Sequence, residues 1–200
     1  MTTLKIYKLY PDVKIPQHQT EQSACFDLSF HGVVGTPICG FTAMNKPIER
    51  FVTFPKHTLS IAPGDRIAVP TGMIIDIPDG FSVRVHARSG LSLKQGLVLA
   101  NAEGVIDADY VNELMVLIHN ISQNTVTITN GDRIAQAELI KSEKYKVEET
   151  PVRPIIKSSR VGGMGSTGVS IESDASVIKI TVAEPNQPVK RGRGRPKKNV

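Results

Sequence analysis

The sequence predicts an all-β, jelly-roll-like barrel followed by a flexible C-terminal extension. Three observations carry this: short segments alternate polar and apolar residues, turn chemistry separates them at close intervals, and 16 Gly and 13 Pro are spread among them with no Trp. A helical bundle would need longer apolar-periodic stretches than these. With 200 residues and 40% hydrophobic content, one domain of ordinary size plus appendages is expected.

Ser82 to Ala87 and Thr125 to Thr129 alternate strictly, as strands with one buried face do. Pro63-Gly64-Asp65, Pro78-Asp79-Gly80 and Asn130-Gly131-Asp132 supply the turns between strands. One short helix is expected after Ser89, over Leu91 to Gln95, with Gly96 placed to end it. Residues 31–60 read as an inserted loop or hairpin. After Gly168 another 32 residues follow, in which Val177 to Val182 has strand character and the composition from Pro185 onward is that of a flexible tail.

The net charge of +5 is concentrated at the C-terminus, where Lys190, Arg191, Arg193, Arg195, Lys197 and Lys198 are positive with no acid between them. The rest of the chain is nearly neutral. The longest apolar run, Leu114 to Ile118, is far shorter than the ~20 residues of a membrane-spanning helix, and no secretory leader is evident. The expectation is a soluble, unprocessed, cytoplasmic protein with no membrane partner, in which Cys25 and Cys39 stay reduced.

The densest chemistry lies between Asn101 and Tyr110, where an amide, the Asp107 carboxylate and an aromatic ring follow one another between two β-like segments. This reads as a pocket within one hairpin. A fixed carboxylate suits a general base that orients a water, although an aspartate that merely caps a turn has the same signature. Tyr110 likewise suits either a stacking surface or an ordinary core position. Arg88, Ser89 and Gly90 present a guanidinium, a hydroxyl and an exposed N–H at a strand end, a set that suits phosphate oxygens and equally a plain turn. Taken alone, Asp27 reads as a surface residue on a strand, and Asp132 and Arg133 as structural.

Together these blocks form a series: Ala24 to Leu28, Ala87 to Leu91, Asn101 to Tyr110, Gly131 to Gln136, and a Gly-rich stretch from Arg160 to Gly168. In this order they resemble the five motifs of the trimeric dUTP pyrophosphatases (dUTPases), over roughly residues 20–168. The resemblance implies a β-clip barrel over residues 1–168, a lid at residues 160–168, and hydrolysis of dUTP to dUMP and pyrophosphate. It places Asp107 as the base for the attacking water. Asn101, Gly104, Val105 and Ile106 fall at the uracil and Tyr110 under the deoxyribose. Arg88, Ser89, Gly90 and Gln136 fall at the phosphates. Arg160, Met164, Gly165, Ser166 and Thr167 belong to the lid over the substrate. Asp27 matches the acid that holds Mg2+ indirectly, through coordinated water, and a homotrimer with shared sites is implied.

Three residues depart from the family pattern. Met164 stands where phenylalanine stacks on the uracil, Val161 where glycine is common, and Asn112 where the family has glycine. A thioether can still lie on a ring face. dCTP deaminase, the rival within the fold, needs a glutamate where this chain has Leu117. The tail from Lys190 to Lys198 resembles an AT-hook, whose Arg-Gly-Arg-Pro core enters the narrow minor groove of A·T-rich DNA, which would put Arg191, Arg193 and Arg195 at the DNA. A solvated polybasic tail or a signal directing the chain to a nucleus or nucleoid has the same composition. The tail and Met164 together motivate the rival from another class, a nucleotide-sensing or DNA-associated regulator with weak or no catalysis.

Overall fold

Thirteen strands and one short helix build the computed structural model, which describes residues 2–155 and 157. The lid residues Arg160, Met164, Gly165, Ser166 and Thr167 and the basic segment with Arg191, Arg193 and Arg195 lie outside the described residues. The chain divides into two units, Met1–Lys146 and Val147–Val200. All the elements below belong to the first. In the second, residues 147–155 and 157 have exposed side chains and form no strand or helix.

The strands are β1 (Lys5–Lys8), β2 (Phe26–Ser29), β3 (Pro37–Phe41), β4 (Pro47–Phe51), β5 (Thr58–Ile61), β6 (Arg66–Pro70), β7 (Met73–Asp76) and β8 (Phe81–His86). After helix α1 (Ser89–Gln95) come β9 (Leu97–Leu99), β10 (Gly104–Ile106), β11 (Met115–Asn120), β12 (Val126–Thr129) and β13 (Arg133–Lys141). Two sheets dominate, one ordered β10-β8-β13-β2 and the other β4-β3-β6-β11-β9, with the pairs β1-β7 and β12-β5 completing the body. Every pairing of these strands is antiparallel.

The period-2 alternation that the sequence shows is what fills the interior. Ile67 and Val69 of β6, Val83 and Val85 of β8, Val116 and Ile118 of β11, and Leu59 and Ile61 of β5 all point into one core. Burying each such side chain stabilises the fold by roughly 1.5–3 kcal/mol. On β13 the core-facing residues Ala135 and Ala137 are small and fully buried, so this central strand sits close to what it covers. Helix α1 starts at Ser89, two residues before the sequence places it, and ends where expected. Gly96 takes φ 68°, and its N–H closes the last turn on the Ser92 carbonyl at 3.1 Å.

Residues 31–60 contain the β3/β4 hairpin, turned through Thr42 to Lys46 with Asn45 at φ 59°. It is not a free appendage. Gly40 and Phe41 pair with Ile67 and Arg66 of β6, and Ile38 and Val52 are buried. Arg50 also reaches the buried Asp65 carboxylate at 2.7 Å, tying the hairpin to the Pro63–Asp65 turn. No helix among the described residues is long and apolar enough to cross a membrane. Cys25 and Cys39 are free thiols.

Candidate active site

Between β9 and β10 the chain changes sheets. β9 pairs with β11 in the five-stranded sheet, whereas β10 pairs with β8 in the four-stranded one. The single hairpin expected from the sequence is therefore a corner. Two strands of three residues each offer little to one another, and each finds a longer partner instead. The turn is tight: Ala102 adopts φ 62°, the Ala102 N–H bonds to the Leu99 carbonyl at 3.3 Å, and the Glu103 N–H bonds to the Asn101 carbonyl at 2.7 Å. Gly104 permits the close approach of β10 to β8, since a Cβ there would stand 2.9 Å from the Val85 Cβ.

This corner opens a cavity of about 520 Å³ lined by Asn101, Gly104, Ile106, Asp107, Tyr110 and Leu117 among others. That volume is within the range of small-ligand sites. Asn101, Asp107 and the Val105 side chain are exposed at it, and among the described residues neither the Asn101 amide nor the Asp107 carboxylate has a side-chain hydrogen-bond or ion-pair partner. Tyr110 is fixed from both ends: its N–H donates to the Asp107 carbonyl at 3.1 Å and its hydroxyl to the Glu113 carbonyl at 2.9 Å, leaving the residue 37% exposed. Glu113 in turn accepts from the Gly72 N–H at 2.7 Å, and the Thr71 hydroxyl donates to the Leu114 carbonyl at 2.7 Å. The far wall is thus bolted to the core.

A second group of sequence-marked residues gathers just beyond the C-terminal end of β8. Arg88 caps the start of α1 in extended conformation, with its guanidinium Nε 2.9 Å from Asp27 Oδ1 and its Nη1 donating to the Arg133 carbonyl at 3.1 Å. Arg133 Nη1 meets Asp27 Oδ2 at 2.9 Å. The Asp27 side chain is only 13% exposed, which corrects the reading of a lone surface aspartate: β2 lies beside β13, so Arg133 and Gln136 flank it. Gln136 pairs directly with Asp27 and donates its side-chain N–H to the Ala87 carbonyl at 3.0 Å. Ser89 and Gly90 are exposed in the first turn of α1, and nothing crowds Gly90. Asp132 has the structural role expected of it, accepting from the Thr129 N–H at 2.8 Å.

One cluster escapes sequence reasoning. Cys25, just before β2, lies side by side with His86 of β8 and Glu138 of β13, with Glu103 on the far side of the imidazole. Burial pushes the Cys25 thiol up, and the neighbouring Glu138 and Asp27 carboxylates add to the effect. Separations of 61 and 52 positions leave no local spacing to notice, and only strand register brings these residues together.

The sequence model of the dUTPase family matches residues 52–168. A deoxyuridine 5'-triphosphate nucleotidohydrolase of Caulobacter vibrioides is 35% identical over 159 residues, which is 79% of this chain and 88% of that protein. One from Desulfotalea psychrophila is 43% identical over 111 residues, 55% of this chain and 73% of that protein. Among solved structures, a point mutant of a Staphylococcus bacteriophage 80alpha dUTPase with dUpNHpp superposes with a TM-score of 0.65 at 20% identity, covering 84% of this chain and all of that one. A point mutant of a dUTPase from phage phi11 of S. aureus, whose structure reveals the coordination of a structural Mg(II) ion, gives 0.59 at 18% identity, covering 76% of this chain and 99% of that one. On the family match and the extent of the Caulobacter relative, the chain belongs to the dUTPase family.

Proposed function

We propose that the protein hydrolyses dUTP to dUMP and pyrophosphate, which keeps uracil out of DNA and supplies dUMP for dTMP synthesis. The observation that carries this reading is the unpartnered Asp107 carboxylate at the mouth of a nucleoside-sized cavity in a chain of this family. Asp107 orients a water for in-line attack on the α-phosphorus and accepts its proton. Backbone groups of Gly104, Val105 and Ile106 with the Asn101 amide match the acceptor and donor edge of uracil. Cytosine inverts that edge, and each polar group left unpaired costs ~1–3 kcal/mol. Tyr110, braced at both ends, forms a firm floor under the deoxyribose where a 2′-hydroxyl has no room.

Arg88, Ser89, Gly90 and Gln136 hold the phosphates. Mg2+ bound with the triphosphate neutralises its charge. Asp27 fits that ion as an indirect holder: an ionised carboxylate accepts at about four positions, and the two guanidinium contacts leave others for metal-bound water. Arg160, Met164, Gly165, Ser166 and Thr167 close over the substrate, with Met164 on the uracil face.

The β8–β10 register supports a site shared between subunits. Asp107 follows Ile106, the partner of Val83, whereas Arg88 lies five steps along from Val83, roughly 16 Å at ~3.3 Å per residue. Neighbouring phosphates do not span that gap within one chain, but a homotrimer brings the Asp107 corner of one subunit to the Arg88 end of another. Residues 1–168 then form the catalytic domain and residues 169–200 an extension. The tail's AT-hook reading would give weak, salt-sensitive binding to A·T-rich duplexes, lost on removing residues 185–200.

Pyrophosphate release from dUTP, with dCTP, dTTP and UTP as controls, tests the proposal. Inactivity of the wild type at micromolar enzyme, or an Asp107→Asn variant as fast as wild type, ends it.

A further inference from the structure

We propose that Cys25, His86 and Glu138 form a binding site for one transition-metal ion of the zinc class, clamping three strands beside the Arg88–Asp27–Gln136 cluster. One ligand atom from each of the three side chains lies within 4.8 Å of the others, and His86 Nε2 is 3.1 Å from Glu138 Oε1. Bonds of ~2.0–2.3 Å in a tetrahedral site put ligand atoms about 3.3–3.8 Å apart, so the observed spacing closes with rotamer adjustments of about an ångström. A sulfur, a nitrogen and a carboxylate oxygen select a borderline-soft ion, while Mg2+ prefers oxygen alone. The fourth position is left to water.

The imidazole also has the support that metal-bound histidines have. Glu103 Oε1 lies 3.6 Å from His86 Nδ1, and Glu103 is itself paired with Arg84 Nη1 at 3.5 Å. A carboxylate on the second ring nitrogen fixes the ring's orientation and tautomer and strengthens the first nitrogen as a donor. Cys25 enters the site as a thiol, and binding converts it to a metal thiolate while its proton passes to solvent.

Strand register explains both the cluster and its place. Gln136 pairs with Asp27 on one side and with His86 on the other, so β13 lies between β2 and β8. Cys25 is two residues from Asp27, Glu138 two from Gln136, and His86 two from Arg88, each step ~6.6 Å along one face of the sheet. A metal there ties together the three segments that carry the phosphate-side residues.

The test uses the full-length chain without an affinity tag, in excess Mg2+, titrated with Co2+ and then with competing Zn2+. One Co2+ per chain is expected, with thiolate-to-cobalt absorption in the near ultraviolet that Zn2+ abolishes. Cys25→Ser removes the absorption and weakens binding tenfold or more, Glu103→Gln keeps the absorption but weakens binding several-fold, and Cys39→Ser changes neither. No saturable site at micromolar Co2+, absorption that survives Cys25→Ser, or absorption lost with Cys39→Ser overturns the proposal. Should Cys25→Ser fail to fold, X-ray absorption of the Zn2+-loaded wild type decides instead: a sulfur neighbour at ~2.3 Å supports the site, and a shell of nitrogen and oxygen alone overturns it. None of these readouts depends on dUTP turnover, so they stand or fall apart from the proposed hydrolysis.

Discussion

The cavity along β10 and the Arg88 end of β8 are built on opposite principles. Along β10, from the turn beside Val85 to Asp107 just past Val83, Asn101 and Asp107 face the cavity without side-chain partners, and rigidity comes from backbone hydrogen bonds and the braced Tyr110. At the Arg88 end nearly every polar group is already engaged: Asp27 holds two guanidiniums, and Gln136 holds a backbone carbonyl. A neutral base needs a preformed edge of donors and acceptors. A polyanion instead competes for cations that the protein must keep compensated in its absence. Under the proposed function, the corner is poised to act as it stands, whereas the Arg88 end would have to exchange Asp27 for phosphate.

That contrast ranks the expected effects of substitution. Asp107→Asn keeps the shape of the corner and removes the proton acceptor, so kcat should fall by a factor on the order of 10³ while dUTP binding changes little. Single-turnover pyrophosphate release together with equilibrium titration of a non-hydrolysable analogue measures both. Arg88→Ala should act the other way, raising KM about 10–100-fold with a smaller loss of kcat, because it removes a charge-assisted contact from an end that has to be reorganised on binding. If both variants lost only kcat, the distinction between a preformed and an exchanging end would be wrong.

Gly104→Ala probes what keeps the corner preformed. The added Cβ would stand 2.9 Å from the Val85 Cβ, inside the distance that real side chains tolerate, so β10 must move away from β8. Overpacking of this kind costs ~1–3 kcal/mol, and urea unfolding should show it as a lower midpoint with an unchanged m-value. Because the displaced strand carries Val105 and Ile106 to the cavity, KM for dUTP should rise in parallel. A variant with wild-type stability would mean that the strands part without penalty.

Much of this was legible in the residues. Alternation in Ser82 to Ala87 foretold the buried Val83 and Val85, and Gly96 ended α1 where it stood in the sequence, because period and turn chemistry are local properties. The motifs also named the residues that the fold gathers at the cavity and around Asp27. Pairing is not local, which is why the sheet change between β9 and β10, the clamping of Asp27 by Arg88 and Arg133, and the Cys25–His86–Glu138 cluster were hidden. Each depends on which strand lies beside β13 or β8, and no run of neighbouring residues encodes that. The β3/β4 hairpin fell between these cases: its existence was readable, its attachment to β6 was not.

The smallest expected effect separates the same two kinds of environment by pH. Asp12, exposed at the surface, has its carboxyl held below the usual range by the hydrogen bond from His31 at 3.2 Å. Its contribution to stability is present above the ordinary carboxylate value and is lost as pH falls through the lowered one. Cys25 runs in reverse: burial, with Glu138 and Asp27 adding, raises its thiol, so folding favours the protonated form. That contribution is complete below the ordinary thiol value and disappears as pH rises through the raised one. Unfolding midpoints measured across pH without added transition metal should therefore decline on the alkaline side less steeply in Cys25→Ser than in wild type, while Asp12→Asn flattens only the acid side. Thiol labelling gives an independent check, since Cys39 is exposed and should react before Cys25 at any pH below the raised value. Equal labelling rates, or an alkaline limb indifferent to Cys25→Ser, would mean that neither burial nor the neighbouring carboxylates hold the proton on this thiol.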